Sequence, residues 1–224
     1  MFSPDSPVIS FLGKIADLII INLLVILCSI PIFTIGASWT AMYYVTVKMV
    51  KNEESYVARD FFKSFRQNFR QATVIWLINL MILLILGADA LIIRNGLMEG
   101  IPQAMIVAMG IFAVFVIAIM VFVYPLLSHF DNTIKNTIKN AFLLSISRFP
   151  YTVMFIIVIS VPFAVAFLTN AGFRLFPIFL LIGITGPAYI CSYGWKKIFE
   201  KLDPVTDTIG ENDGKQEEKT TESE

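Results

Sequence analysis

Long runs without a charged side chain constrain this 224-residue chain more than any other feature. Residues 18–47 and 100–130 contain no Asp, Glu, Lys or Arg. A bilayer core of about 30 Å needs roughly 20 apolar residues of helix, and each run is long enough to provide them. With 57 % hydrophobic and 15 % charged residues, the chain also lies outside the usual composition of soluble domains. The sequence therefore predicts an all-α, polytopic membrane helix bundle.

Hydropathy divides residues 1–202 into five predicted membrane spans and their connecting segments. The spans are 16–35, 72–93, 103–127, 151–169 and 173–190. The six segments outside them, the last of which runs to residue 224, carry 1, 6, 1, 3, 1 and 5 Lys or Arg residues, in chain order. Under the positive-inside rule this alternation places the N-terminus outside and the C-terminus in the cytoplasm. The alternative splits the first span at Pro31 into two short crossings, which gives six helices with both ends inside.

Two predicted cytoplasmic loops, at 56–71 and 131–147, have the pattern of amphipathic helices. In the first, a turn of 100° per residue places the basic side chains on one face and the phenyl rings on the adjoining face. The basic residues are Arg59, Lys63, Arg66 and Arg70, and the rings belong to Phe61, Phe62, Phe65 and Phe69. We expect this helix to lie parallel to the membrane, with its cations against anionic lipid at the cytoplasmic face of the bilayer. In the alternative, the rings pack on the bundle and the charges are only solvated.

Helix breakers and polar residues inside the spans form a second set of candidates. Pro31 ends or bends the first helix, and Gly36 permits close approach of another helix. Asn22 and Asn79 lie well inside the first and second spans, where they could bond to each other, and Asp89 is an intramembrane carboxylate. The candidate site consists of Asn22, Pro31, Thr34, Gly36, Asn79, Asp89 and Pro187, with the interrupted first and fifth spans facing each other. The alternatives are helix packing, hydrogen bonds between helices and, for Asp89, contact with the membrane interface.

Residues that would support catalysis or cofactor binding are scarce. His129 is the one histidine, without Cys or acidic residues at ligand spacing, and there is no phosphate-binding loop, GxSxG elbow or dinucleotide fingerprint. We therefore predict no enzymatic activity, no metal or cofactor, and no nucleic-acid partner. Residues 203–224 carry eight acidic residues, two Lys and no aromatic residue, which predicts a disordered acidic cytoplasmic tail.

Three stretches together resemble the YesL-like family of small bacterial integral membrane proteins. They are NLLVILCSIPIFTIGASWTAMYYV, DFFKSFRQNFRQA and FDNTIKNTIKNAFLLSISRFP, and the similarity extends to about Lys201. The residues that recur in the family correspond to Asn22, Pro31, Thr34, Gly36, Phe61, Phe62, Phe65 and Asn68. The resemblance implies a multi-pass protein of the bacterial cell membrane, without an established activity, whose gene often accompanies carbohydrate uptake systems.

Taken with the apolar faces, the resemblance predicts an accessory or regulatory component associated with carbohydrate uptake. Its expected partners are the components of an ABC-type sugar transporter and, as a further option, copies of the same chain. The alternative function is a small oligomeric transporter or channel, with its site at the broken helices.

Overall fold

The computed structural model describes residues 7–53, 56–95, 102–168 and 172–202, and these ranges contain helices and no strand. The helices are α1 (Pro7–Cys28), α2 (Ile35–Lys51), α3 (Val57–Arg94), α4 (Gln103–His129), α5 (Ile134–Ser147), α6 (Phe149–Leu168), α7 (Gly172–Ile182) and α8 (185–202), with a 3₁₀ turn at Ile32–Thr34. The predicted all-α class is confirmed. The predicted tail at 203–224 lies outside the described residues.

Three of the described helices are long and apolar enough to cross a bilayer, namely α1 from Ile9, α3 and α4. A fourth candidate arises if α5 and α6, which meet at an angle of 100°, are counted as one bent span. Large apolar side chains on α3 and α4 point away from the protein, among them Leu84 (60 % exposed) and Val114 (58 % exposed). Lipid solvates such side chains at no hydrophobic cost. The chain therefore has the architecture of a multi-pass membrane protein.

The stretch predicted as one span at 16–35 is corrected, because the chain reverses its direction there. Helix α1 ends at Cys28, the 3₁₀ turn follows, and α2 runs back along α1. As a result, Lys14 Nζ donates a hydrogen bond to Asn52 Oδ1 at 3.1 Å, so both residues lie at the same end of the bundle. The topology with an outside N-terminus would put them on opposite membrane faces. The observed path instead agrees with the alternative in which Pro31 separates two short helices.

A cross-linking experiment tests this reversal. In a background with Cys28→Ser and Cys191→Ala, we expect the pair Lys14→Cys and Asn52→Cys to react with a short bismaleimide within one chain, because their side chains are in contact. Mass spectrometry would identify the linked peptides. The control pair, Lys14→Cys with Asn95→Cys at the far end of α3, should not react. Linkage of the control pair alone would contradict the hairpin.

Helix α3 corrects the prediction for residues 56–93, because it is a single helix of 38 residues, about 57 Å long at 1.5 Å per residue. No Gly or Pro occurs near residues 71 and 72, so nothing ends the helix between its amphipathic part and its apolar part. The first half runs antiparallel to α2, with Lys48 paired to Asp60 at one end. The amphipathic part therefore continues the axis of the predicted span and does not form a separate helix parallel to the membrane.

The other predicted loop helix is a separate element. Helix α5 begins after Thr133, whose hydroxyl accepts a hydrogen bond from the Asn136 amide at 3.4 Å as an N-cap. It ends at Ser147, and the bend of 100° at Arg148 turns the chain into α6. The helix predicted over 131–147 is thus observed over Ile134–Ser147.

Helix α2 is the centre of the bundle, with 12 of its 17 residues buried. It packs against α1, α3 and α4, and Thr46 Oγ1 accepts a hydrogen bond from the Ser192 hydroxyl of α8 at 2.9 Å. Beside it, the Trp195 ring of α8 stacks on Phe155 of α6 and meets Phe122 of α4 edge-on. A helix buried on nearly every side belongs to a protein core. The short helix α2 therefore holds the longer helices together.

Candidate functional site

The side chain of Asn22 in α1 forms hydrogen bonds with the backbone where α7 ends and α8 begins. The residues of this contact, Leu18, Asn22, Leu180, Ile184 and Thr185, are called here the polar node. Asn22 is fully buried, and its Nδ2 donates a hydrogen bond to the Leu180 carbonyl at 2.6 Å. Its Oδ1 accepts hydrogen bonds from the backbone amides of Ile184 and Thr185, each at 3.1 Å. The Thr185 hydroxyl donates to the Leu18 carbonyl at 3.0 Å.

The polar node supplies α8 with an N-cap from a different part of the chain. The first amides of a helix have no intrahelical acceptor, and hydrocarbon offers no water to replace it. Asn22 Oδ1 fills that role at the start of α8. The interrupted first and last segments do face each other, but Asn22 bonds to the interrupted backbone, whereas the sequence suggested a bond to Asn79.

The observed interruption before α8 ends at residue 184, three residues before Pro187, where the sequence suggested a break. Residues 183 and 184 form a turn, and Pro187 lies in the first turn of α8, where a missing amide breaks no intrahelical bond. The predicted span 173–190 is therefore two helices. The signal that would have located the break is Thr185, a typical residue for a helix start, after the apolar run of α7. The sequence alone does not show that Thr185 bonds to Leu18 and Asn22 of α1.

Thr34 and Trp76 close the turn between α1 and α2. The Thr34 hydroxyl lies 2.5 Å from the Cys28 carbonyl and 2.6 Å from the Pro31 carbonyl, so its single proton is shared between them. Trp76 Nε1 of α3 donates to the Ile32 carbonyl at 2.6 Å. These donors replace the helical amides that the break at Pro31 removes. The break is therefore closed by side chains of the protein.

Gly36 lets α2 approach α3 backbone to backbone. A Cβ atom at this position would lie 2.5 Å from the Ala72 carbonyl oxygen and 2.7 Å from Trp76 Cβ. Any larger residue must push the two helices apart. The role of Gly36 is therefore helix packing.

Asn79 and Asp89 lie on α3, apart from the polar node. Asn79 is buried and makes a polar contact with the Tyr124 hydroxyl of α4, outside ordinary hydrogen-bond geometry for Asn79 Nδ2 and the hydroxyl. Asp89 is half-buried near the end of α3, five residues before Arg94. The sequence did not single out Tyr124, because an aromatic residue in an apolar run is usually a packing residue. Of the predicted intramembrane polar residues, Asn22 and Thr34 thus bond to the interrupted backbone, whereas Asn79 and Asp89 lie elsewhere, on α3.

The basic face of α3, defined as Arg59, Lys63, Arg66 and Arg70, is exposed along its whole length. The opposite side of the helix is anchored. Phe61 is fully buried, Phe65 and Phe69 pack against the core, and Phe62 is 44 % exposed. The packing of Phe61, Phe65 and Phe69 agrees with the alternative in which the rings pack on the bundle.

Asp60 lies beside the basic face but is already engaged. Its carboxylate accepts a hydrogen bond from Lys48 Nζ at 2.8 Å, and this bond raises the pKa of Lys48 above its usual value. The negative charge of Asp60 is therefore largely offset by Lys48. The four cations of the basic face keep their net positive charge.

Residues 18–90 match a family described as a protein of unknown function, DUF624. The matched segment contains Asn22, the α1–α2 turn, Gly36 and the whole basic face, whereas Thr185 lies outside it. Comparisons with curated proteins and with solved structures gave no match. The resemblance to the YesL-like family stays a prediction.

Proposed function

We propose that this chain is a non-enzymatic accessory or regulatory subunit of a bacterial sugar importer, and that the basic face of α3 is its contact with the importer. The observation that carries the proposal is the continuity of α3. Its four exposed cations stand on a helix that runs without a break into an apolar span. This part of α3 packs along α2 from Asp60 to Ala72, so the exposed basic face points sideways from the bundle, toward a protein beside it.

The length of the basic face favours a protein partner over lipid alone. Arg59 and Arg70 are 11 residues apart, which is about 16 Å along the helix axis. At physiological ionic strength the Debye length is about 8 Å, so headgroups near Arg70 act only weakly on Arg59. Anionic lipid therefore engages the cations nearest the membrane. The more distant ones remain available to an anionic protein surface.

We place the basic face on the cytoplasmic side. With Lys14 at the same end of the bundle as Asn52, every Lys and Arg of the described residues except Arg94 and Arg174 falls on one side, which is 13 of 15. The positive-inside rule assigns that side to the cytoplasm. Both ends of the chain then lie in the cytoplasm of the bacterial cell.

The importer is suggested by the resemblance to the YesL-like family, whose genes often accompany carbohydrate uptake systems. The packing of the polar residues is also consistent with a subunit that assists another membrane protein. The alternative of a transporter needs a polar cavity at Asn22, Thr34 and Pro187. In the described part of the chain, Asn22 and Thr34 are buried and bonded to backbone, and the groove beside Pro187 is apolar. No observation favours that alternative.

The test is affinity purification from native membranes, combined with sugar uptake. Wild-type protein should retain the permease or ATPase subunit of a sugar importer, and Arg66→Glu with Arg70→Glu should lose it, because reversed charges repel an anionic surface. The control, Lys135→Glu with Lys139→Glu, makes the same charge change on exposed residues of α5 and should retain it. Deleting the gene should alter uptake through that importer.

Two results would contradict the proposal. One is equal retention of the importer by both double variants. The other is sugar uptake by the purified protein alone in liposomes, which would establish transport as its own activity.

A further inference from the structure

Two cavities lie one after the other along the contact between α6 and α8. At the end where α6 begins and α8 finishes, a polar cleft of about 150 Å³ is lined by Arg148, Tyr151, Ile198, Glu200 and two lysines, Lys197 and Lys201. Farther along the same two helices lies an apolar groove of about 600 Å³. Its lining includes Val158 and Pro162 of α6, and Gly186, Pro187 and Ile190 of α8.

The cleft and the groove occupy the same side of each helix. On α8, Gly186, Ile190, Lys197 and Lys201 fall within about 60° on a helical wheel of 100° per residue. Ile190 and Lys197 are seven residues apart, which is about 10 Å along the axis. Between them the Phe155 ring fills the interior against Gly194, and the exposed Tyr193 lies on the outer surface between the two cavities. The cations and the apolar groove thus lie in line on one side of α8, about 10 Å apart.

We propose that this surface binds one anionic phospholipid, with its phosphate in the cleft and an acyl chain in the groove. Arg148, Lys197 and Lys201 outweigh Glu200, so the cleft carries excess positive charge for a phosphate. The groove beyond it offers only apolar contact, as an acyl chain requires. A soluble anion would leave the groove unused, and an apolar helix would leave the cations unpaired. An anionic lipid satisfies both parts, and the site is separate from the basic face of α3.

Native mass spectrometry of the full chain, equilibrated with phosphatidylglycerol or with phosphatidylcholine of identical acyl chains, tests this proposal. We expect wild-type protein to retain one phosphatidylglycerol and to bind it more tightly than phosphatidylcholine. Lys197→Gln with Lys201→Gln should weaken phosphatidylglycerol binding by roughly 25-fold, because two cations near the headgroup are removed. Gly186→Leu should weaken it as well, by filling the groove; a Cβ at Gly186 meets only Ile182, at an ordinary 3.5 Å.

The control is Lys135→Gln with Lys139→Gln, which removes the same charge from α5 and should bind phosphatidylglycerol as wild-type protein does. Inorganic phosphate at millimolar concentration should not displace the lipid. Equal binding of the two lipids, equal loss in the control variant, or displacement by phosphate would each overturn the proposal.

Thermal unfolding of the wild-type protein provides a test that needs no variant, since only phosphatidylglycerol should raise its midpoint. Equal stabilisation by both lipids would count against the site.

Discussion

Replacing Asn22 with leucine is expected to lower the free energy of unfolding by about 2–3 kcal/mol, since hydrogen bonds between membrane helices average about 0.6 kcal/mol each. Asn22 makes four such contacts, with the Leu180 carbonyl, the amides of Ile184 and Thr185, and the Thr185 hydroxyl. Leucine has a similar size but leaves these backbone groups without a partner in the bundle. Chemical unfolding in mixed micelles, followed by circular dichroism, would measure the loss.

The matched control is Asn79→Leu. Asn79 is also a buried amide in a membrane helix, but it makes one polar contact, with the Tyr124 hydroxyl, in place of four hydrogen bonds, so its replacement should cost only about 0.6 kcal/mol. The comparison separates the bonds of the polar node from the general effect of removing a polar group from the bundle. Equal destabilisation by the two substitutions would show that Asn22 does not cap α8.

Replacing Gly36 with alanine is expected to lower the free energy of unfolding by about 1–3 kcal/mol, the usual range for overpacking a filled core. The added methyl group meets the carbonyl oxygen of Ala72, which is backbone and cannot rotate away. Moving α2 outward would also stretch the bond from Trp76 to the Ile32 carbonyl. The same unfolding measurement applies, and the indole fluorescence should shift to longer wavelength as the contact loosens.

Gly87→Ala is the control for this substitution. Gly87 lies in α3, and a methyl group added there would meet no atom within 4 Å outside its own helix backbone, so alanine should be tolerated. Alanine also favours the helix by about 1 kcal/mol over glycine. A Gly36→Ala protein as stable as wild type would mean that α2 and α3 are not in backbone contact.

The sequence predicted those features of the fold that depend on composition and on local pattern. Uncharged runs indicated membrane helices, and Pro31 indicated the end of α1. Hydropathy carries no information about direction, however, so the reversal at Pro31 and the antiparallel α2 did not follow from it. Likewise the helical periodicity indicated the basic face and the rings of α3 but not whether they belong to a separate loop helix or to the first half of a longer helix, because both have the same periodicity.

The candidate site was predictable one residue at a time, but its pairings were not. An amide such as Asn22 inside an apolar run needs a partner, which is a local inference. The partner is the backbone of Ile184 and Thr185, more than 160 residues away, and backbone amides have no sequence signature. Only the break at residues 183 and 184 makes those amides available, and Pro187 suggested the break in a slightly different place.

The capping of α8 by α1 fixes the order in which the protein can mature. The bonds of the polar node join residues 158 to 167 positions apart, so α1 is synthesised well before the backbone groups that Asn22 binds. Until α7 and α8 are made, the Asn22 amide lacks these hydrogen-bond partners. Insertion of the early helices and completion of the bundle are therefore separate events in the biosynthesis of this protein.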